Sequence, residues 1–145
     1  MKRGTRVLAF VVLGGWASSL TGREWIFGSV WDGVYANNQA SRGELAYSQD
    51  CAWCHGPRLE GNGRIPALTG RAFSEDWEQT NVGDLFEKIQ FSMPGDRPGE
   101  LTPSRDADIV AYILKYNRFP VGPSDLPSDA DTLRLVRIEG DRGPQ

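Results

Sequence analysis

Apolar residues recur at helical spacing in three stretches of the chain. In the first, Ala40, Gly43 and Tyr47 share one face of a helix that begins at an Asn37 or Asn38 cap and runs to about Asp50. In the second, Val82, Leu85, Phe86 and Ile89 fall at i, i+3, i+4 and i+7 behind an Asn81 cap, and the helix ends before Pro94. The third starts at Pro103-Ser104, carries Asp106 and Asp108 in its first turn, and buries Ile109, Tyr112, Ile113 and Tyr116 before Asn117 and Pro120 end it. Between the first two, Gly56, Pro57, Gly61, Gly63, Pro66 and Gly70 exclude a long helix or a regular strand, so this stretch must wrap around something. From Ser29 to Asn37 the pattern predicts an irregular lead-in with Trp31 and Tyr35 exposed. Beyond Phe119 it predicts a short helix capped by Ser128 and an apolar patch of Leu133, Leu135, Val136 and Ile138. No hairpin signal and no internal repeat is present.

The N-terminus has a different character. Lys2, Arg3 and Arg6 precede an apolar run from Val7 to Trp16 and then the small residues Ala17-Ser18-Ser19, the pattern of a cleaved secretory signal peptide. The rival is an uncleaved anchor, but a membrane span needs roughly 20 apolar residues. Gly14, Gly15, Thr21, Gly22, Arg23 and Glu24 interrupt this one, so no stable membrane anchor is expected. The expected organisation is a signal peptide over 1–19, a lead-in over 20–33, one domain over 34–118 and an extension over 119–145. Without Lys2, Arg3 and Arg6 the 16 basic side chains fall to 13 against 19 acidic, a net charge of −6. Such a surface argues against nucleic-acid binding.

Composition narrows the chemistry further. The 145 residues include two Cys, two Met and one His. These exclude a multi-disulfide scaffold, a His cluster and a repeated metal motif. Both Cys and the His lie together in Cys51-Ala52-Trp53-Cys54-His55. On a helical turn, two sulfurs three residues apart share a face and can form thioethers to one haem, with His55 turned toward its iron. A thioredoxin-like pair would need a preceding strand, which the pattern does not show. A zinc site would lack a fourth N or S ligand. A disulfide would explain neither the adjacent His nor the Gly-rich wrap. Apart from Met1 the chain has only Met93, in Ser92-Met93-Pro94-Gly95, as a thioether for the sixth iron position. Its alternative role is as a filler of a core gap.

The combination Gly43-x-x-x-Tyr47-x-x-x-Cys51-x-x-Cys54-His55-Gly56, then Pro66-x-Leu68-x-Gly70, Met93-Pro94 and Ala111-Tyr112-Ile113 resembles the class I monohaem cytochromes c. The resemblance implies an all-α fold of short helices and loops around one covalently bound haem c, with the first and last helices crossing at Gly43 and Tyr47 packing on Tyr112. It also implies that the Pro66 carbonyl accepts the Nδ1 hydrogen of His55 and that Leu68 lines the haem face. Trp77 would hydrogen-bond a propionate or serve as a core aromatic, and Arg64, Arg71 and Arg97 would neutralise propionates or lie on the surface. The stretch from Phe86 to Ile138, with Met93-Pro94-Gly95-Asp96-Arg97-Pro98-Gly99 and Phe119-Pro120 to Leu126-Pro127, is similar to cytochromes associated with dehydrogenases dependent on pyrroloquinoline quinone (PQQ).

The function expected from these features is one-electron transfer in the periplasm, without catalysis by the chain itself. A PQQ-type dehydrogenase would be the donor and an oxidase or another cytochrome the acceptor, docking through small, salt-sensitive interfaces. Two alternatives remain at this level. The chain could be a haem-bearing subunit of a permanent dehydrogenase complex, rather than a free monomer. It could also be a haem peroxidase or gas sensor, although no second His is present to act on a bound ligand.

Overall fold

The computed structural model describes residues 28–140, and the signal-peptide segment therefore lies outside the described residues. A short 3-10 helix, Val30–Asp32, is followed by α1 (Asn37–Asp50), α2 (Ala52–His55), α3 (Gly70–Trp77), α4 (Val82–Ser92), α5 (Pro103–Tyr116) and α6 (Ala130–Leu133). The fold is all-α, as the resemblance implies, with two isolated β-bridges as the only strand-like pairing among the described residues.

The α1–α5 pair forms the centre. Ala40, Gly43 and Tyr47 of α1 are buried against α5, whose Ile109, Val110, Tyr112, Ile113 and Leu114 are buried in turn. Glycine is required at the crossing, because a Cβ at residue 43 would land on the carbonyl oxygen of Asp108 and lie 2.9 Å from the Tyr112 Cβ. The Tyr47 and Tyr112 rings meet beside it, with centroids 5.3 Å apart. At the edge of the same crossing, the Arg42 guanidinium donates to both carboxylate oxygens of Asp108, at 3.0 and 2.9 Å. Asp108 thus serves the α1–α5 contact, whereas Asp106 is the acid of the first turn of α5.

Residues 119–140 return across this core. Tyr35 donates its hydroxyl to the Phe119 carbonyl at 2.6 Å, and Gln39 pairs through both amide atoms with the backbone of Leu126. Segment 136–138 runs between two others. Val30 N–H donates to Arg137 O, Val82 N–H to Val136 O and Ile138 N–H to Thr80 O. Leu126, Leu133, Val136 and Ile138 are all at most 4% exposed, so the tail supplies core rather than covering it.

Local expectations change at the element ends. Ala36 caps α1 without a side-chain bond, Thr102 caps α5 with Pro103 in the first turn, and Asp129 rather than Ser128 caps α6. Tyr35 is fully buried because its hydroxyl finds Phe119, and Trp31 is partly buried against the Phe119 ring. Tyr116, in the last turn of α5, and Leu135, on the outer side of a tail whose Leu133, Val136 and Ile138 turn inward, are exposed. Helix α3 was hidden by the glycines before it. Gly70 takes a left-handed φ of 64° at its start and Phe73 is the one fully buried anchor.

Candidate functional site

Helix α1 delivers the Cys-His turn. Cys51 caps the C-terminus of α1, and the backbone N–H groups of Cys54 and His55 both donate to its carbonyl, at 3.1 and 2.9 Å. This single turn brings the two thiols to one side and sends the ring of His55 inward, where it is 7% exposed. Cys51 is partly buried and Cys54 exposed, and no disulfide joins them. Burial pushes the Cys51 thiol up to about 12, so it carries no thiolate at neutral pH. That is the opposite of what an attacking redox dithiol requires. Among the described residues, no three of His, Cys, Asp and Glu converge to hold a bare metal ion.

The Gly-rich segment then folds back on His55. Gly61 N–H donates to the His55 carbonyl at 2.7 Å, and Leu68 N–H donates to Leu59 O at 2.8 Å. Gly61 has φ of 66°, and a Cβ there would lie 2.7 Å from Ala67 N and 2.8 Å from the Pro66 carbonyl carbon. Only glycine lets the loop close so tightly. The closed loop places the Pro66 carbonyl 2.9 Å from His55 Nδ1. A carbonyl only accepts, so Nδ1 carries the hydrogen and Nε2 keeps a lone pair for a ligand. Tyr47 holds the start of the same loop by donating to Gly56 O at 2.7 Å.

Cys51, Cys54 and His55 line a cavity of about 690 Å³, together with Pro66, Leu68, Trp77, Met93 and Arg97. The volume suits a ligand of drug or cofactor size. Leu85, Ile89, Ile109 and Ile113 give it an apolar wall, which matches a flat aromatic macrocycle better than a polar substrate. Met93 caps the C-terminus of α4 and precedes a cis peptide bond to Pro94. A thiol pair, an imidazole with a free Nε2, a thioether and an apolar wall on one cavity form a donor set that fits covalently held haem.

Two sequence candidates fall outside the cavity lining. Arg71 points to solvent and pairs with Glu75, and Arg64 lies exposed on the Asn62 turn. Arg71 sits in the first turn of α3 and Arg64 on the glycine-rich loop, both on the solvent side. Arg97 reaches the cavity, but its guanidinium is engaged by Asp50 at 2.6 Å. Asp50, Asp76, Lys88 and Asp96 also line the cavity and were not singled out. For Asp50 the available signal is its place between the first helix and Cys51. Burial opposes its charge, but hydrogen bonds from Arg97 and Arg105 outweigh this and hold the carboxyl below its ordinary value.

Asp106 has no such help. It is fully buried with neither carboxylate oxygen hydrogen-bonded, and burial alone raises it to about 6. It lies near enough to Cys51 to raise that thiol further, although it does not line the cavity.

Residues 38–113 match the model of the family described as cytochrome c oxidase, cbb3-type, subunit III. No curated protein matches the chain. Among solved structures, the sulfane dehydrogenase SoxCD from Paracoccus pantotrophus is similar, with 20% identity and a TM-score of 0.50 over 78% of this chain. The chain spans 61% of that relative's length, and at this identity the likeness speaks for the fold.

Proposed function

Because the chain belongs to the cytochrome c family described by subunit III of cbb3-type cytochrome c oxidase, we propose that it carries single electrons through one His/Met-ligated haem c. Haem c supplies a Fe(III)/Fe(II) couple when bound. Cys51 and Cys54 hold it covalently, each through a thioether. His55 would hold the iron through Nε2, with its ring fixed in orientation by the Nδ1 hydrogen bond to Pro66 O at 2.9 Å. Met93 would hold it through its thioether sulfur, a donor pair with imidazole that favours electron transfer over ligand chemistry. Leu68 and the isoleucine wall would exclude water, and Trp77 would serve a propionate.

The observation that carries this proposal is the convergence of Cys51, Cys54, His55 and Met93 on one apolar cavity. Trp53, 97% exposed between the two Cys, lies at the mouth of that cavity, where a redox partner would approach. No helix among the described residues is long and apolar enough to cross a membrane. We propose a periplasmic carrier that accepts electrons from a quinoprotein dehydrogenase and passes them to an oxidase or another cytochrome. This assignment draws on the similarity of the Met93 and Phe119 segments to the cytochromes of such systems.

Mass spectrometry of the exported protein tests the cofactor, with one haem per chain expected and lost from the Cys51→Ser, Cys54→Ser double variant. A chain without covalent haem, or with two, would overturn it. Mixing with a PQQ-dependent dehydrogenase and its substrate tests the donor. Rapid, salt-sensitive reduction without a stable complex in gel filtration is expected. Failure to reduce would reject this donor, and co-elution would favour a permanent subunit.

A further inference from the structure

Asp50 joins two parts of the cavity that are distant in sequence. It is the last residue of α1, next to Cys51, and its side chain is only 8% exposed. Its Oδ1 accepts from Arg97 Nη2 at 2.6 Å, and its Oδ2 accepts from Arg105 Nε at 2.7 Å. Arg97 belongs to the loop that leaves Met93, and its own N–H donates to Pro94 O at 2.9 Å, closing a tight turn directly after the methionine. Arg105 belongs to α5, and its second arm donates to Gln49 Oε1 at 2.6 Å. One carboxylate therefore receives two arginines of nearly equal exposure, 35% and 36%, only one of which is attached to the Met93 loop.

We propose that the Asp50–Arg97 pair is a latch that positions Met93 for the haem iron, while the Asp50–Arg105 pair serves the α1–α5 packing alone. The proposal rests on Met93 being the axial ligand. A loop between α4 and α5 holds its methionine only as long as the loop is closed. Met93 N–H is fixed to Ile89 O at 3.0 Å, so the upstream side belongs to helix α4. Downstream, the turn after Met93 is tied to the haem-binding segment through Arg97. Charge-assisted hydrogen bonds on a mostly buried carboxylate are among the stronger polar contacts, so cutting this one shifts the closed-to-open balance of the loop. Asp50 and Arg97 are positioning residues, acting through Met93.

The test is titration of the oxidised holoprotein with imidazole, which competes with Met93 for iron, in wild type, Arg97→Gln, Arg105→Gln and Met93→Ala. Arg97→Gln should bind imidazole about tenfold more tightly or better, whereas Arg105→Gln should stay within about twofold of wild type. Urea unfolding should show a loss for Arg105→Gln at least as large as for Arg97→Gln, because Arg105 also gives up its bond to Gln49. Arg97→Lys, which keeps the charge, should recover part of the wild-type affinity. Equal imidazole affinities for Arg97→Gln and Arg105→Gln, or an unchanged Arg97→Gln, would overturn the latch. If Met93→Ala also leaves imidazole binding unchanged, Met93 is not the ligand and the underlying assignment fails as well. If only Met93→Ala responds, the ligand stands and the latch alone falls.

Discussion

Asp106 should make the protein less stable as the pH rises toward neutrality, against the usual behaviour of acidic groups. Its carboxyl is fully buried without a hydrogen bond, and burial raises it from 3.8 to about 6. A folded-state value above the unfolded one means that the folded chain binds the extra proton between these two pH values. The stabilisation is complete below about pH 4 and is lost as the pH climbs through about 6. At roughly 1.4 kcal/mol per pH unit, the interval corresponds to about 3 kcal/mol, a large share of the 5–15 kcal/mol that holds a typical domain together. Asp106→Asn preserves the shape and removes the titration. It should match wild type near pH 4 and exceed it by about 2–3 kcal/mol at pH 7. In urea unfolding this is a midpoint shift of roughly 1–2 M at pH 7 and little at pH 4. Parallel stability profiles for the two proteins from pH 4 to 7 would refute the reasoning, since they would mean that Asp106 is solvated or paired in solution.

Two further perturbations probe the scaffold. Gly43→Ala places a methyl on the Asp108 carbonyl, a backbone atom that cannot rotate away. Its unfolding free energy should fall by about 3 kcal/mol or more despite the better helix propensity of alanine, and a stability equal to wild type would show that the α1–α5 crossing has room for a methyl group. Truncation after Arg118 removes the fully or almost fully buried Leu126, Leu133, Val136 and Ile138. At about 1.5–3 kcal/mol per buried aliphatic side chain, the shortened chain should fail to fold cooperatively in circular-dichroism melts, and a sharp wild-type-like melt would disprove a core role for the tail.

Periodic and strongly punctuated features were legible in the sequence. The α4 stripe of Val82, Leu85, Phe86 and Ile89 and its Asn81 cap need only local spacing, and the structure shows them all. The Cys-His turn was equally legible, because its residue types are rare in this chain. Caps shifted by one or two residues, as at Ala36 and Thr102, because a side chain's capping bond depends on the entry angle of the chain. Tyr35 looked exposed because its burial depends on Phe119, 84 residues later, and Asp50 looked ordinary because its arginines arrive from two distant segments. Arg64 and Arg71 illustrate the converse. Their proximity in sequence to the wrapping loop says nothing about which side of it they occupy.

Carbon monoxide binding to the reduced holoprotein tests the central claim most directly. With His55 and Met93 both on the iron, the wild-type spectrum should be unchanged by the gas, and Met93→Ala should bind it readily while keeping its haem covalently attached. A wild-type protein that binds carbon monoxide as readily as Met93→Ala would contradict six-coordinate ligation, and with it the assignment of this chain as an electron carrier rather than a ligand-binding or peroxide-reactive haem protein.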